Sequence, residues 1–156
     1  MNAELKIDTR CPLGEGAKLW RHDPRDQSTQ HFDMSERFAT FALTADTNTL
    51  LLGLASRLAF FDLTTRDITT ITEVEADLPT RINDGRFDRQ GRFVFGTKHD
   101  VDDAQPVGAY YRLNADLSLE RLPLGPCAIS NSIGFSPDGA TMYYCDSPTR
   151  QIRVCD

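Results

Sequence analysis

Hydrophobic positions in this chain come in short runs. Segments rich in β-branched and aromatic residues, bounded by Gly, Pro, Asp and Asn, follow one another from end to end, and helical three-and-four spacing is hard to find anywhere. Three segments share one pattern of an apolar pair, a turn and an apolar run: residues 41–53 (FALTADTNTLLLG), 85–96 (GRFDRQGRFVFG) and 133–145 (IGFSPDGATMYYC). Each reads as a β-hairpin. Their turns centre on Asp46, Gln90 and Asp138, so the repeat is about 44 to 48 residues, within the range of propeller blades. A further apolar strand follows each hairpin, at residues 58–63, 109–113 and 151–156, and an orphan copy at residues 18–23 precedes them all. Residues 68–72 supply a fourth strand to the first complete repeat. The pattern predicts an all-β chain and favours a β-propeller, with a β-sandwich of similar hairpin spacing as the runner-up.

Length then limits the architecture. The 156 residues form a single domain with about three blades, whereas closed propellers typically need four to eight. A partial propeller over residues 1–156 is expected, and its open edges would expose unpaired strands and favour self-association. The orphan strand at residues 18–23 follows Gly14-Glu15-Gly16 almost directly, without the hairpin that precedes every later copy. By comparison with the other repeats, roughly 12 to 20 residues are missing near Ala17.

Composition narrows the function classes. Seventeen Lys and Arg stand against 23 Asp and Glu, a net charge of −6, which argues against a nucleic-acid-binding surface. The N-terminal residues are polar, unlike a signal peptide, and no stretch approaches the roughly 20 apolar residues of a membrane span, so a soluble, cytoplasmic chain is expected. Cys11, Cys127, Cys145 and Cys155 show no C-x-x-C spacing and read as reduced thiols. No Gly-x-Ser-x-Gly elbow, phosphate loop or dinucleotide fingerprint occurs.

Three polar clusters precede the hairpins and so fall at the same end of successive blades: residues 13–16, residues 81–85 and residues 130–132. Equivalent positions of a radial repeat face one channel, so Glu15, Asn83 and Asn131 are candidates to converge. A carboxylate and amide oxygens are hard donors suited to Ca²⁺, Mg²⁺ or Mn²⁺ and too poor in nitrogen and sulfur for a structural zinc site. Each cluster also has a plain reading: Glu15 as a loop residue, Asn83-Asp84-Gly85 as a turn, Asn131 as an Asx-turn and Arg81 as a surface arginine. The run His99-Asp100-Val101-Asp102-Asp103 lacks the spacing of a calcium loop and reads as a solvated loop, with contact at a substrate rim as the alternative. His22 and His31 read as surface residues of the first blade.

The motifs Cys11-Pro-Leu-Gly-Glu-Gly16, Arg81-x-Asn83-Asp84-Gly85 with the following Asp88-x-x-Gly91-Arg92-Phe93 and Gly96-Thr97, and Ile129-Ser-Asn131 with Ser136-Pro-Asp-Gly139 and Asp146-Ser147 resemble, in order, the SMP-30/gluconolactonase/regucalcin-like (LRE) family. The resemblance implies a six-bladed propeller, of which this chain is the first half, and metal-dependent hydrolysis of sugar lactones such as glucono- or arabinonolactone. It implies one divalent ion, Ca²⁺, Zn²⁺, Mn²⁺ or Mg²⁺, with Glu15 and Asn131 at positions of metal ligands. Arg81 and Asn83 stand at the family's substrate-binding positions, and Asp84 and Gly85 shape that segment. The family's general-base aspartate falls in the half of the fold this chain lacks, so the catalytic residue is unassigned and little or no activity is expected from the chain alone. Lys98 stands where the family commonly has methionine. A non-catalytic calcium-binding or regulatory propeller protein is the alternative.

Overall fold

The computed structural model describes residues 17–156 and, for its backbone, the strand β1 (Glu4–Asp8). The strand-and-turn pattern is realised as four antiparallel sheets with one short 3₁₀ turn at Ser147–Thr149. The first sheet holds β1, β2 (Lys18–Asp23) and β3 (Ser28–Asp33); the second holds β4 (Phe38–Leu43), β5 (Thr49–Leu54), β6 (Arg57–Asp62) and β7 (Ile68–Glu73) in chain order. The third repeats that order with β8 (Thr80–Phe87), β9 (Phe93–His99), β10 (Tyr110–Leu113) and β11 (Leu119–Arg121), and the fourth contains β12 (Ser130–Phe135), β13 (Met142–Asp146) and β14 (Gln151–Cys155). The expected hairpins are β4–β5, β8–β9 and β12–β13, each closed at the predicted turn. The orphan strand is β2, paired to β3 on one side and to β1 on the other, so the first sheet has three strands where the second and third have four.

Turn chemistry is local. Asp46 accepts hydrogen bonds from the Asn48 amide and the Thr49 hydroxyl, and Asp88 accepts from the Gln90 and Arg92 amides and from the Arg92 guanidinium at 2.6 Å. Gly91 and Gly139 take the left-handed backbone that closes the second and third hairpins.

The core is divided into three apolar layers, one between each pair of successive sheets. Leu19 and Phe32 of the first sheet meet Leu50, Leu52 and Phe61 of the second, with the Phe32 and Phe61 rings edge to face at 5.5 Å. Leu51 and Leu58 of the second meet Ile82, Phe93 and Phe95 of the third. Val94 and Tyr110 of the third meet Ile133 and Tyr144 of the fourth, where the Tyr110 hydroxyl donates to the Cys145 carbonyl at 2.9 Å. Alternation along each middle strand feeds two layers at once: Val94 faces forward, while Phe93 and Phe95 face back.

The innermost strands β4, β8 and β12 lie side by side across the sheets. Glycine permits this at equivalent places. A Cβ on Gly53 of β5 would lie 2.8 Å from Ile82, and one on Gly96 of β9 would lie 2.4 Å from the Cβ of Ser130, so each middle strand lets the next sheet's inner strand approach.

Candidate active site

Each inner strand carries one extra residue relative to its partner. In β4 it is Ala39 and in β8 it is Asn83, each skipped by the register; in β12 the shift falls between Asn131 and Gly134, where Ser132 has a φ of 59°. A bulge interrupts strand alternation and re-aims side chains, so the polar residues of successive blades come together at one end of the strands. There they line a cavity of about 500 Å³ whose wall includes Ala17, Arg37, Arg81, Asn83, Asp84 and Asn131.

The amide orientations follow from their acceptors. Asn83 donates through Nδ2 to the Ser130 carbonyl at 2.7 Å and, more distantly, to Oδ1 of Asn131 at 3.4 Å. Asn131 donates through its own Nδ2 to the Ser147 hydroxyl at 2.9 Å. Arg81 donates from Nη1 to the Ile82 carbonyl at 3.0 Å and to Oδ1 of Asn83 at 3.3 Å, and from Nε to Asp100 at 3.1 Å. Asp100 also receives the Arg37 guanidinium. Burial pushes the Asp100 carboxyl upward, but Arg37 and Arg81 outweigh it and hold the group below the usual carboxylate range.

Asp84 has a different part. Its Oδ1 accepts from the Gly85 amide at 2.9 Å and its Oδ2 from the Ile133 amide at 3.1 Å, so the carboxylate ties β8 to β12 and satisfies a backbone donor at the bulge. Asp84, which lines the cavity, and Asp100, which bonds two of its arginines, are therefore both engaged by donors of the protein. What the described residues offer a cation is the amide oxygen of Asn131, with no net charge, since Oδ1 of Asn83 already accepts from the Arg81 guanidinium. Among them no group of three His, Cys, Asp or Glu gathers. This portion fits a divalent ion as a neutral part of an oxygen shell that carboxylates from elsewhere must complete. Glu15, the carboxylate expected there, lies outside the described residues.

The family whose description is SMP-30/Gluconolactonase/LRE-like region matches residues 15–156. The chain belongs to this family. An L-arabinolactonase of Azospirillum brasilense is 57% identical over 172 aligned residues that cover 99% of this chain and 57% of the relative. That alignment is longer than this chain, so the relative has residues that the chain lacks. A 6-deoxy-6-sulfogluconolactonase of Pseudomonas putida is 32% identical, covering 97% of this chain and 58% of the relative. The solved structure of a calcium-binding protein, regucalcin, from Agrobacterium tumefaciens superposes with a TM-score of 0.78 at 26% identity, over 88% of this chain and 45% of that one. The chain thus spans about half the length of the relatives it matches, and its four sheets are part of a β-propeller.

Of the residues expected in an SMP-30-type site, Arg81, Asn83 and Asn131 are brought together although as many as 50 positions separate them. Asn83 sits within β8 and not in a turn, and Arg81 is only 21% exposed, so the plain readings of these two do not hold. The acidic run divides by its partners: Asp100, Asp102 and Asp103 are all at the surface, but Asp100 bonds Arg37 and Arg81, two arginines of the cavity wall. Arg37 carried no sequence signal, because it belongs to a different repeat and matches none of the polar clusters. His22 bonds Thr29 and His31 lies against Trp20, both at the surface of the first sheet. Among the described residues no helix is long and apolar enough to cross a membrane.

Proposed function

We propose that the chain carries the substrate-binding part of a sugar-lactone hydrolase, and that the lactone ring enters the cavity between β4, β8 and β12. The convergence of Arg81, Asn83 and Asn131 on one cavity supports this most directly. In this reading Arg81 and Asn83 orient the ring by hydrogen bonds to its oxygens. Their own bonds to the Ile82 and Ser130 carbonyls keep them from rotating away. Asn131, whose Oδ1 has only a distant donor, and Glu15 would hold a divalent ion. Such an ion, when bound, polarises the lactone carbonyl and acidifies a water molecule. The names of the relatives, L-arabinolactonase and 6-deoxy-6-sulfogluconolactonase, support a sugar lactone as the substrate class.

Among the described residues the carboxylates nearest the cavity, Asp84 and Asp100, are both held by donors of the protein, which supports a proton acceptor contributed from elsewhere. This favours a second reading, in which the chain binds a ring or a cation without turning over. Hydrolysis of L-arabinono- and D-gluconolactone by the purified chain, with Ca²⁺, Zn²⁺, Mn²⁺ or Mg²⁺ added and spontaneous opening subtracted, separates the two. Metal-dependent turnover establishes a complete site, and a folded sample that binds lactone without turnover establishes the second reading. Solution mass under the same conditions shows whether two chains associate through their open sheets.

A further inference from the structure

We infer that Asp100 is a positioning residue: it clamps Arg37 from one blade and Arg81 from the next, and thereby fixes the direction in which Arg81 presents its guanidinium to a sugar ring. The inference rests on the sugar-ring reading above and adds to it a residue that touches no substrate. The three side chains come from separate places, Arg37 just before β4, Arg81 in β8 and Asp100 just after β9. They nevertheless meet on one carboxylate, with Arg81 Nε on Oδ1 and Arg37 on Oδ2.

Arg81 then has its Nε on Asp100 and its Nη1 on the Ile82 carbonyl and Asn83. A guanidinium is planar, so fixing two of its nitrogens fixes the third. Nη2 has no partner among the described residues and is the donor left for a ligand. Asn83 lies 3.3 Å from Nη1, so the arginine and the amide act as one plate whose angle depends on the carboxylate.

Asp100 is itself held by backbone. Its amide donates to the Pro79 carbonyl at 2.9 Å, the His99 amide donates to the Ala128 carbonyl at 2.9 Å, and the Gln105 amide closes the loop onto Nδ1 of His99 at 3.0 Å. Without the carboxylate, the two guanidinium groups that now share it would be left with no anion between them, and like charges at such range repel. Arg81, the less exposed of the two, would then lose one of the bonds that define its direction.

The test uses the full chain with Asp100→Asn and Asp100→Glu. The first readout is the Nε–H resonance of Arg81 in arginine-labelled protein, assigned with Arg81→Lys. The second is binding of 1,4-anhydro-L-arabinitol, a sugar ring without a lactone carbonyl, followed by titration in the same spectra. Expected for Asp100→Asn are a displaced, broadened Arg81 signal and ring binding weakened roughly tenfold, the scale of one charge-assisted hydrogen bond. Asp100→Glu should restore both, together with the melting temperature of the parent. An Arg81 signal unmoved in Asp100→Asn overturns the clamp. Absence of ring binding by the unmodified chain overturns the sugar-ring reading instead, and the Arg81 signal alone then decides for or against the clamp.

Discussion

Gly96→Ala should destabilise this protein through a contact between blades and not within one. The added Cβ would lie 2.4 Å from Ser130 Cβ, 2.5 Å from Ser130 Oγ and 3.0 Å from a ring carbon of Tyr110. Non-bonded carbons settle at about 3.5–4.0 Å, so β12 must retreat by about an ångström. Ser130 and Tyr110 are fully buried and cannot swing aside. Overpacking of this kind costs about 1–3 kcal/mol. The lost flexibility of the unfolded chain returns about 0.4–1 kcal/mol when glycine becomes alanine. Because the contact is this short and both neighbours are fully buried, the cost lies at the upper end of that range and the net loss is about 2–2.6 kcal/mol, or roughly 4–10 °C in melting temperature for a chain of this length. Urea unfolding followed by far-ultraviolet circular dichroism measures it. The double variant Gly96→Ala/Ser130→Gly tests the cause, because Ser130 Oγ has no hydrogen-bond partner among the described residues and its removal costs none of their bonds. The pair should be more stable than the two single changes add up to. A Gly96→Ala protein as stable as the parent, or strictly additive variants, would refute the steric reasoning.

Other outcomes follow from the same contacts. Asp84→Ala removes the acceptor of the Ile133 amide and should cost about 1–3 kcal/mol, read from the urea midpoint, while Asn131 loses its fixed distance from Asn83. The Asp100 carboxyl is held below its ordinary value in the folded chain, so the stability it contributes is complete above its unfolded pKa of about 3.9 and falls away as pH drops through the lower folded value. The difference in urea midpoint between the parent and Asp100→Asn should accordingly be constant from pH 7 to about 5 and shrink below about 4. Burial pushes the Cys127 thiol up to about 12, so iodoacetamide should leave Cys127 unmodified in the native protein and modify it after unfolding, as read by peptide mass spectrometry.

Much of the fold was legible because its signals are local. Turn residues such as Asp46, Gly91 and Gly139 act within a few positions, and alternating apolar runs set which face of each strand is buried. The three hairpins follow from those patterns alone, whereas β1 and β3 of the first sheet matched none of them. The bulges were not legible: nothing about Ala39 or Asn83 in the sequence says that the register skips them, since that depends on how β5 and β9 pair. The site was readable in part for the same reason. Asn83 and Asn131 stand at equivalent places in the repeat, with Arg81 in the same cluster as Asn83, which is a sequence property. Arg37 and Asp100 meet only because two blades stand at a particular angle, and Asp100 was hidden among neighbours, Asp102 and Asp103, that are solvated as composition suggests.

The division of the core into separate layers has a consequence for how the molecule comes apart. Each apolar layer is shared only by adjacent blades, so the chain behaves as a row of coupled units whose middle members have two neighbours. Among the described residues the second and third sheets are covered on both faces, and their amides should exchange with solvent only on global opening. Among the described residues the fourth sheet, with Ile152 72% and Val154 59% exposed, is covered from one side, and its amides should exchange faster than those of the second and third sheets. Asn131 lies on that sheet and Asn83 on its sheltered neighbour, so the cavity straddles a boundary in local stability. Opening of the fourth sheet would separate the cavity's two asparagines while Arg81 and Asn83 stay on their shared strand.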